Sequence, residues 1–160
     1  MAPAFDRSEA FGIDKPALTP CPNLAEQGGC RIHEDRQTLG FGGCIVFDCA
    51  GAGQRVTQEL FGGRSWRDDA SLIAPMSAAY LSMRRVQELL LLLDQASRLP
   101  LSDEDAGRVS ALGAELGPPD GWTPETLAAF PVEAVAAQVG AFLETLRRYV
   151  AGHQPKPSED

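Results

Sequence analysis

The second half of the chain has the spaced apolar positions of amphipathic helices. Between about Leu72 and Arg98, apolar residues recur at intervals of three, four and seven, which is the spacing of one face of a helix. Pro100 follows, and a proline ring removes a backbone donor and clashes with the preceding turn. We therefore predict one long helix that ends before Pro100, with an apolar stripe of Met76, Tyr80, Met83, Leu90 and Leu93.

Three further helices are predicted after the long one. Ser102 precedes three acidic residues, an arrangement typical of a helix start, and the Gly-Pro-Pro sequence from Gly117 ends that helix. Thr123 followed by proline predicts a brief helix to about Phe130. Pro131 restarts the chain, and the final helix has one continuous apolar face, made of Val132, Val135, Ala136, Val139, Phe142, Leu143, Leu146 and Val150.

The first 70 residues lack this periodicity. They hold all four cysteines, three Gly-Gly pairs and three closely spaced prolines, which are residues typical of loops and turns. We predict a mainly α protein in which residues 1–70 form a loop-rich Cys/His-cluster segment. This segment packs on a bundle of three or four helices, formed by residues 71–152 of the same domain. Residues 153–160 are polar, contain two prolines and are predicted to be a disordered tail.

Charge and hydropathy restrict the classes of function. The net charge is −8, with 22 acidic residues against 14 Lys and Arg and no long basic stripe, which argues against binding to nucleic acid. No apolar run approaches the roughly 18 residues that a membrane helix requires. The N-terminal residues lack the basic region and apolar run of a secretion signal, so we predict a cytoplasmic protein.

The candidate chemistry lies in the cysteines and one histidine. Cys21, Cys30, His33, Cys44 and Cys49 follow one another with the spacing C-x8-C-x2-H-x10-C-x4-C. Structural disulfides rarely persist in a reducing cytoplasm, so cysteines at this density indicate metal or redox chemistry. Thiolates and neutral imidazoles are the ligands that zinc and iron-sulfur centres select. Two other interpretations stay open, namely small buried core residues and a redox pair at positions 44 and 49.

Several motifs follow one another in order along the first 67 residues. They are Phe11-Gly-Ile-Asp-Lys-Pro16, Cys21-Pro-Asn-Leu24, Gly29-Cys-Arg-Ile-His33, Gly40-Phe-Gly-Gly-Cys44, Phe47-Asp-Cys49 and Phe61-Gly-Gly-Arg-Ser-Trp-Arg67. These motifs resemble the cysteine-rich N-terminal region of certain bacterial pentapeptide-repeat proteins and, more loosely, the zinc- or iron-chelating cysteine-cluster family. The resemblance covers roughly residues 5–67 and implies a chelated metal. The pentapeptide repeats themselves are absent from this chain, so their role is not carried over.

We therefore expect Cys21, Cys30, Cys44 and Cys49 to hold a zinc ion, or else iron or an iron-sulfur centre, with His33 completing or replacing one ligand. A ligand set closed by protein leaves no position for a reacting water, so the expected role of the metal is structural and not catalytic.

Two alternatives remain at this stage. One is a metal-free helical interaction module with buried cysteines, in which the Met76–Leu93 surface binds a protein partner or a second copy of the chain. The other is a redox or metal-dependent enzyme, which requires a perturbed and accessible thiol at Cys44 or Cys49.

Overall fold

A computed structural model describes residues 4–150 and is mainly helical, with no β-strand in that range. The predicted fold class is confirmed. The disordered tail predicted for residues 153–160 lies outside the described residues. The helices are α1 (Gly43–Val46), α2 (Ala52–Gln54), a π-helix (Arg55–Leu60), a 3-10 helix (Ala70–Leu72), α3 (Ile73–Ser97), α4 (Asp103–Leu116), α5 (Pro124–Ala129), α6 (Val132–Thr145) and α7 (Arg147–Val150).

Helix α3 is the centre of the protein, because α2, the π-helix, α4, α5 and α6 all pack against it. Met83 and Val86 are fully buried in its middle, and each such side chain stabilises the fold by roughly 1.5–3 kcal/mol relative to an exposed one. Met76 and Leu93 of the predicted apolar stripe are buried as well. That part of the stripe therefore forms the core of this chain and is not available as a partner surface.

The helix boundaries follow the capping residues predicted from the sequence. Ser102 caps α4, since its hydroxyl accepts a hydrogen bond from the backbone N–H of Asp105 at 3.3 Å. Thr123 caps α5 in a reciprocal pair with Thr126, and Pro124 occupies the first helical position. The predicted final helix is divided at Leu146 into α6 and α7.

A polar network connects the start of α4 to α7. The carboxylate of Asp105 is nearly buried and accepts hydrogen bonds from Arg148, at 2.5 Å, and from the hydroxyl of Tyr149. The hydroxyl of Tyr149 also accepts a hydrogen bond from the backbone N–H of Ser102, at 3.1 Å. These contacts hold the two helix ends together.

The N-terminal segment, residues 4–48, is built from turns, two isolated β-bridges and the four-residue α1, so it is loop-rich. It has very little core of its own, because Lys15 and Phe41 are its only buried residues. The rings of Phe5 and Phe11 stack at 4.1 Å, and Gly43 lies so close to Phe11 that it leaves no room for a side chain.

The sequence did not resolve the short helices that join this segment to the bundle. Ala52, Val56 and Leu60 are buried in the same apolar core as α3, so α2 and the π-helix belong to the bundle. Among residues 4–150, no helix is long and apolar enough to cross a membrane.

Candidate metal site

Electrostatic interactions link three of the four cysteines. Cys44 is half-buried, and burial raises the pKa of its thiol above the ordinary value. Cys21 and Cys30 raise this pKa further when they are ionised, whereas Arg36 lowers it. The three thiols therefore lie within the range over which charges act on one another in a protein. We call Cys21, Cys30 and Cys44 the thiol cluster.

Tight turns bring these cysteines together. The backbone N–H of Leu24 bonds to the carbonyl of Cys21 at 3.0 Å, and Leu24 forms a β-bridge with Cys30. Cys44 enters α1 through a bond from its N–H to the carbonyl of the buried Phe41, at 3.0 Å. These bonds fix the local turns at Cys21, Cys30 and Cys44.

A buried lysine accompanies the thiol cluster. Lys15 is only 3% exposed, and its ammonium donates hydrogen bonds of 3.0 Å to the carbonyls of Pro16 and Thr19. Burial lowers the pKa of Lys15, while the nearby Cys21 raises it. The burial of Lys15 was not predicted, because no sequence signal marks a lysine as buried when its neighbours are loops.

His33 lies one turn beyond Cys30, and its side chain is exposed. Its Nδ1 is 2.9 Å from a carboxylate oxygen of Glu34, and this hydrogen bond to His33 lowers the pKa of Glu34. Histidines that bind metals commonly make such a bond with one ring nitrogen and use the other nitrogen as ligand. The Nε2 atom of His33 is thus the nitrogen that could serve a metal.

Cys49 packs against the helical core. It contributes to the raised pKa of Tyr80, for which burial is the larger cause. Of the five predicted ligands, three cysteines therefore lie within electrostatic range of one another, His33 lies one turn beyond Cys30, and Cys49 borders the helical core.

The sulfur donors of the thiol cluster suit a soft metal ion, but the positions of their side chains do not form a metal site in this conformation. All four cysteines are free thiols. Within residues 4–150, no group of three or more His, Cys, Asp or Glu side chains is positioned to hold a metal ion in this conformation. Zinc binds thiolates at about 2.3 Å, so binding would require the cysteine side chains to lie closer together than they do in this conformation. Such coupling of metal binding to local folding is common in small metal sites.

Comparisons with known proteins give one distant relative. The chain is 33% identical over 102 residues to a Bacillus subtilis (strain 168) protein described as uncharacterized protein YybG. The match covers 64% of this chain and 37% of that protein, so the chain spans little more than a third of the length of its relative. No protein-family model matches the chain, and no solved structure matches it.

Proposed function

We propose that this chain is a metal-binding protein in which the thiol cluster supplies three thiolates to a zinc ion. His33 would provide the fourth ligand through Nε2, with its Nδ1 held by Glu34. The observation that supports this proposal is the electrostatic influence of Cys21 and Cys30 on Cys44, while Cys49 packs against the helical core. Three thiolates and one imidazole form a closed tetrahedral set, which is typical of structural zinc.

The weak core of the N-terminal segment supports a structural role for the metal. Only Lys15 and Phe41 are buried among residues 4–48, so burial of apolar surface contributes little to the order of this segment. Small units without a sufficient core commonly depend on metals or disulfides. A zinc ion would join turns that nothing else in the segment joins strongly.

The charges around the thiol cluster are also consistent with bound metal. Zinc with three thiolates and a neutral imidazole has a net charge of −1, and the ammonium of Lys15 and the guanidinium of Arg36 lie near the cysteines. Free thiols persist in reducing compartments, so the proposal includes the cytoplasmic location predicted from the sequence.

Serine variants of the four cysteines test the proposal. Zinc content should fall to near zero in Cys21→Ser, Cys30→Ser and Cys44→Ser, and Cys49→Ser is the matched control that should retain the metal. His33→Ala should also lower the zinc content, since one of four ligands is lost. Equal zinc content in all five variants would contradict the proposed ligand set.

Iron remains the alternative metal. Thiolates also hold iron and iron-sulfur centres, and these absorb visible light whereas zinc does not. Visible absorbance in protein purified without oxygen would move the proposal to iron, with the same cysteines as ligands. A colourless protein that contains zinc would support the structural site.

A second function is favoured by the exposed leucines of α3. Leu81, Leu91 and Leu92 are each about half exposed, and a surface of this kind can serve a protein partner or a homodimer. Light scattering over a range of concentrations tests the dimer, with Leu92→Glu as the disrupting variant. A mass that stays monomeric at every concentration would leave the homodimer without support.

A further inference from the structure

A small cavity lies between the π-helix and α3, apart from the four proposed metal ligands. Its volume is about 210 Å³. Val56, Met76 and Ser77 are buried at its floor, and the half-buried side chains at its rim include Trp66 and Tyr80. The cavity therefore extends from the apolar core to the surface.

The π-helix and a glycine shape this cavity. The N–H of Phe61 bonds to the carbonyl of Val56, five residues back, at 3.1 Å, which widens this turn relative to an α-helix. Turns of this kind are rare and occur frequently at functional sites. Gly53 also lines the cavity, and a side chain added there would meet no atom within 4 Å. The wide turn of the π-helix and the lack of a side chain at Gly53 thus leave this space open.

The chemistry of the lining restricts what could bind. Among the described residues that line the cavity, none carries a formal charge, so a charged ligand would lose its hydration without a partner. Hydroxyl groups are present on Thr57, Ser77 and Tyr80, and burial raises the pKa of Tyr80, which keeps its phenol protonated as a donor. The two aromatic rings at the rim suit a planar apolar body.

We propose that this cavity binds a small neutral molecule with an aromatic or compact aliphatic body and one hydroxyl or carbonyl group. A cavity of about 150 Å³ is sufficient for benzene, so the space here accepts one ring with a short polar substituent. It is smaller than the roughly 300–1,000 Å³ of pockets for drug-sized ligands, which excludes a nucleotide. This inference rests on the cavity alone and does not depend on the metal.

Benzyl alcohol is a suitable probe, and the two tryptophans of the full chain report its binding. Trp66 lines the cavity, whereas Trp122 does not and instead bonds through its indole N–H to the carbonyl of Leu116. In a titration followed by ¹H–¹⁵N NMR, the indole signal of Trp66 should shift with saturation, while that of Trp122 should stay in place. The variant Trp66→Phe assigns the two signals.

Two comparisons make the test specific. Benzoate and benzylammonium have the same ring with a charge, and each should bind at least about tenfold more weakly. Gly53→Leu should fill the open space and weaken the binding of benzyl alcohol at least about tenfold. Gly107→Leu is the control, because Gly107 is also a helical glycine with no atom within 4 Å of an added side chain but lies on α4.

Saturable binding with this order of affinities would support the proposal. Three results would overturn it. The shift of the Trp66 signal would not saturate, the charged probes would bind as tightly as benzyl alcohol, or Gly53→Leu would bind benzyl alcohol as tightly as the unmodified protein does. The charged probes are tested on the unmodified chain, so the conclusion holds even if the Gly53→Leu variant fails to fold.

Discussion

Replacement of Gly43 by alanine should loosen the N-terminal segment while the helical bundle stays intact. An ideal Cβ at Gly43 would lie 2.6 Å from Cε2 and 2.9 Å from Cε1 of Phe11, and closer still to Cζ. Contacts this short do not occur, so the ring must move. Phe11 is stacked on Phe5, and the ammonium of Lys15 lies 5.3 Å from the Phe5 ring, so the displacement disturbs all three side chains.

The expected cost can be worked from these contacts. Overpacking of one methyl group costs about 1–3 kcal/mol, and loss of an aromatic stack costs about 0.5–1.5 kcal/mol. The gain of alanine over glycine in the four-residue α1 offsets at most about 1 kcal/mol. The net destabilisation is therefore about 0.5–4.5 kcal/mol, which should raise local opening by a factor of roughly 2 to 2,000.

Hydrogen exchange measures this opening residue by residue. The amides of Phe5 and Lys15, which bond to each other's carbonyls at 3.0 and 2.8 Å, should lose protection in Gly43→Ala. Amides in the middle of α3 should exchange as before. Gly113→Ala is the control, since a side chain there meets nothing within 4 Å. Unchanged protection of both N-terminal amides in Gly43→Ala would refute the packing argument.

Three further predictions concern the core, the acid response and the metal. Met83→Ala should cost about 2–5 kcal/mol in urea unfolding because Met83 is fully buried, whereas Leu91→Ala, at a half-exposed position, should change stability by less than about 1 kcal/mol. Tyr149 and Arg148 hold the pKa of Asp105 below its usual value, so ionised Asp105 favours the folded state above an unfolded pKa of about 3.9. This contribution is lost as the pH falls through the lower folded pKa, and Asp105→Asn should flatten that part of the stability profile measured by urea unfolding at a series of pH values. Removal of metal with a chelator should abolish hydrogen-exchange protection in residues 4–48 but preserve the helical circular dichroism signal, and an unchanged N-terminal segment would count against a structural metal.

The helical half was predictable because its signals are local. Ser102 and Thr123 mark their helix starts through side chains that bond within three residues, and Pro100 marks a stop. The apolar spacing of α3 also identified residues that the structure buries, such as Met83. The separation of α6 from α7 at Leu146 was missed, since the apolar face continues across the break.

The candidate site was predictable only as a set of residue types. Spacing alone suggests that Cys44 and Cys49 act together, but the sequence does not show that Cys49 packs against the helical core. Cys49 leads directly into α2, whose Ala52 is buried in the bundle, so tertiary packing decides its direction. The position of Lys15 likewise depends on contacts of the folded loop that no sequence period encodes.

The central claim is that the thiol cluster binds a metal, and the most direct measurement is the metal content of the untagged chain purified without oxygen. Elemental analysis should find about one zinc, or one iron centre, for each chain. Folded protein that contains no metal, and that takes up none when zinc is added, would contradict the account. The cysteines would then be ordinary thiols, and the helical bundle would be the functional part of this chain.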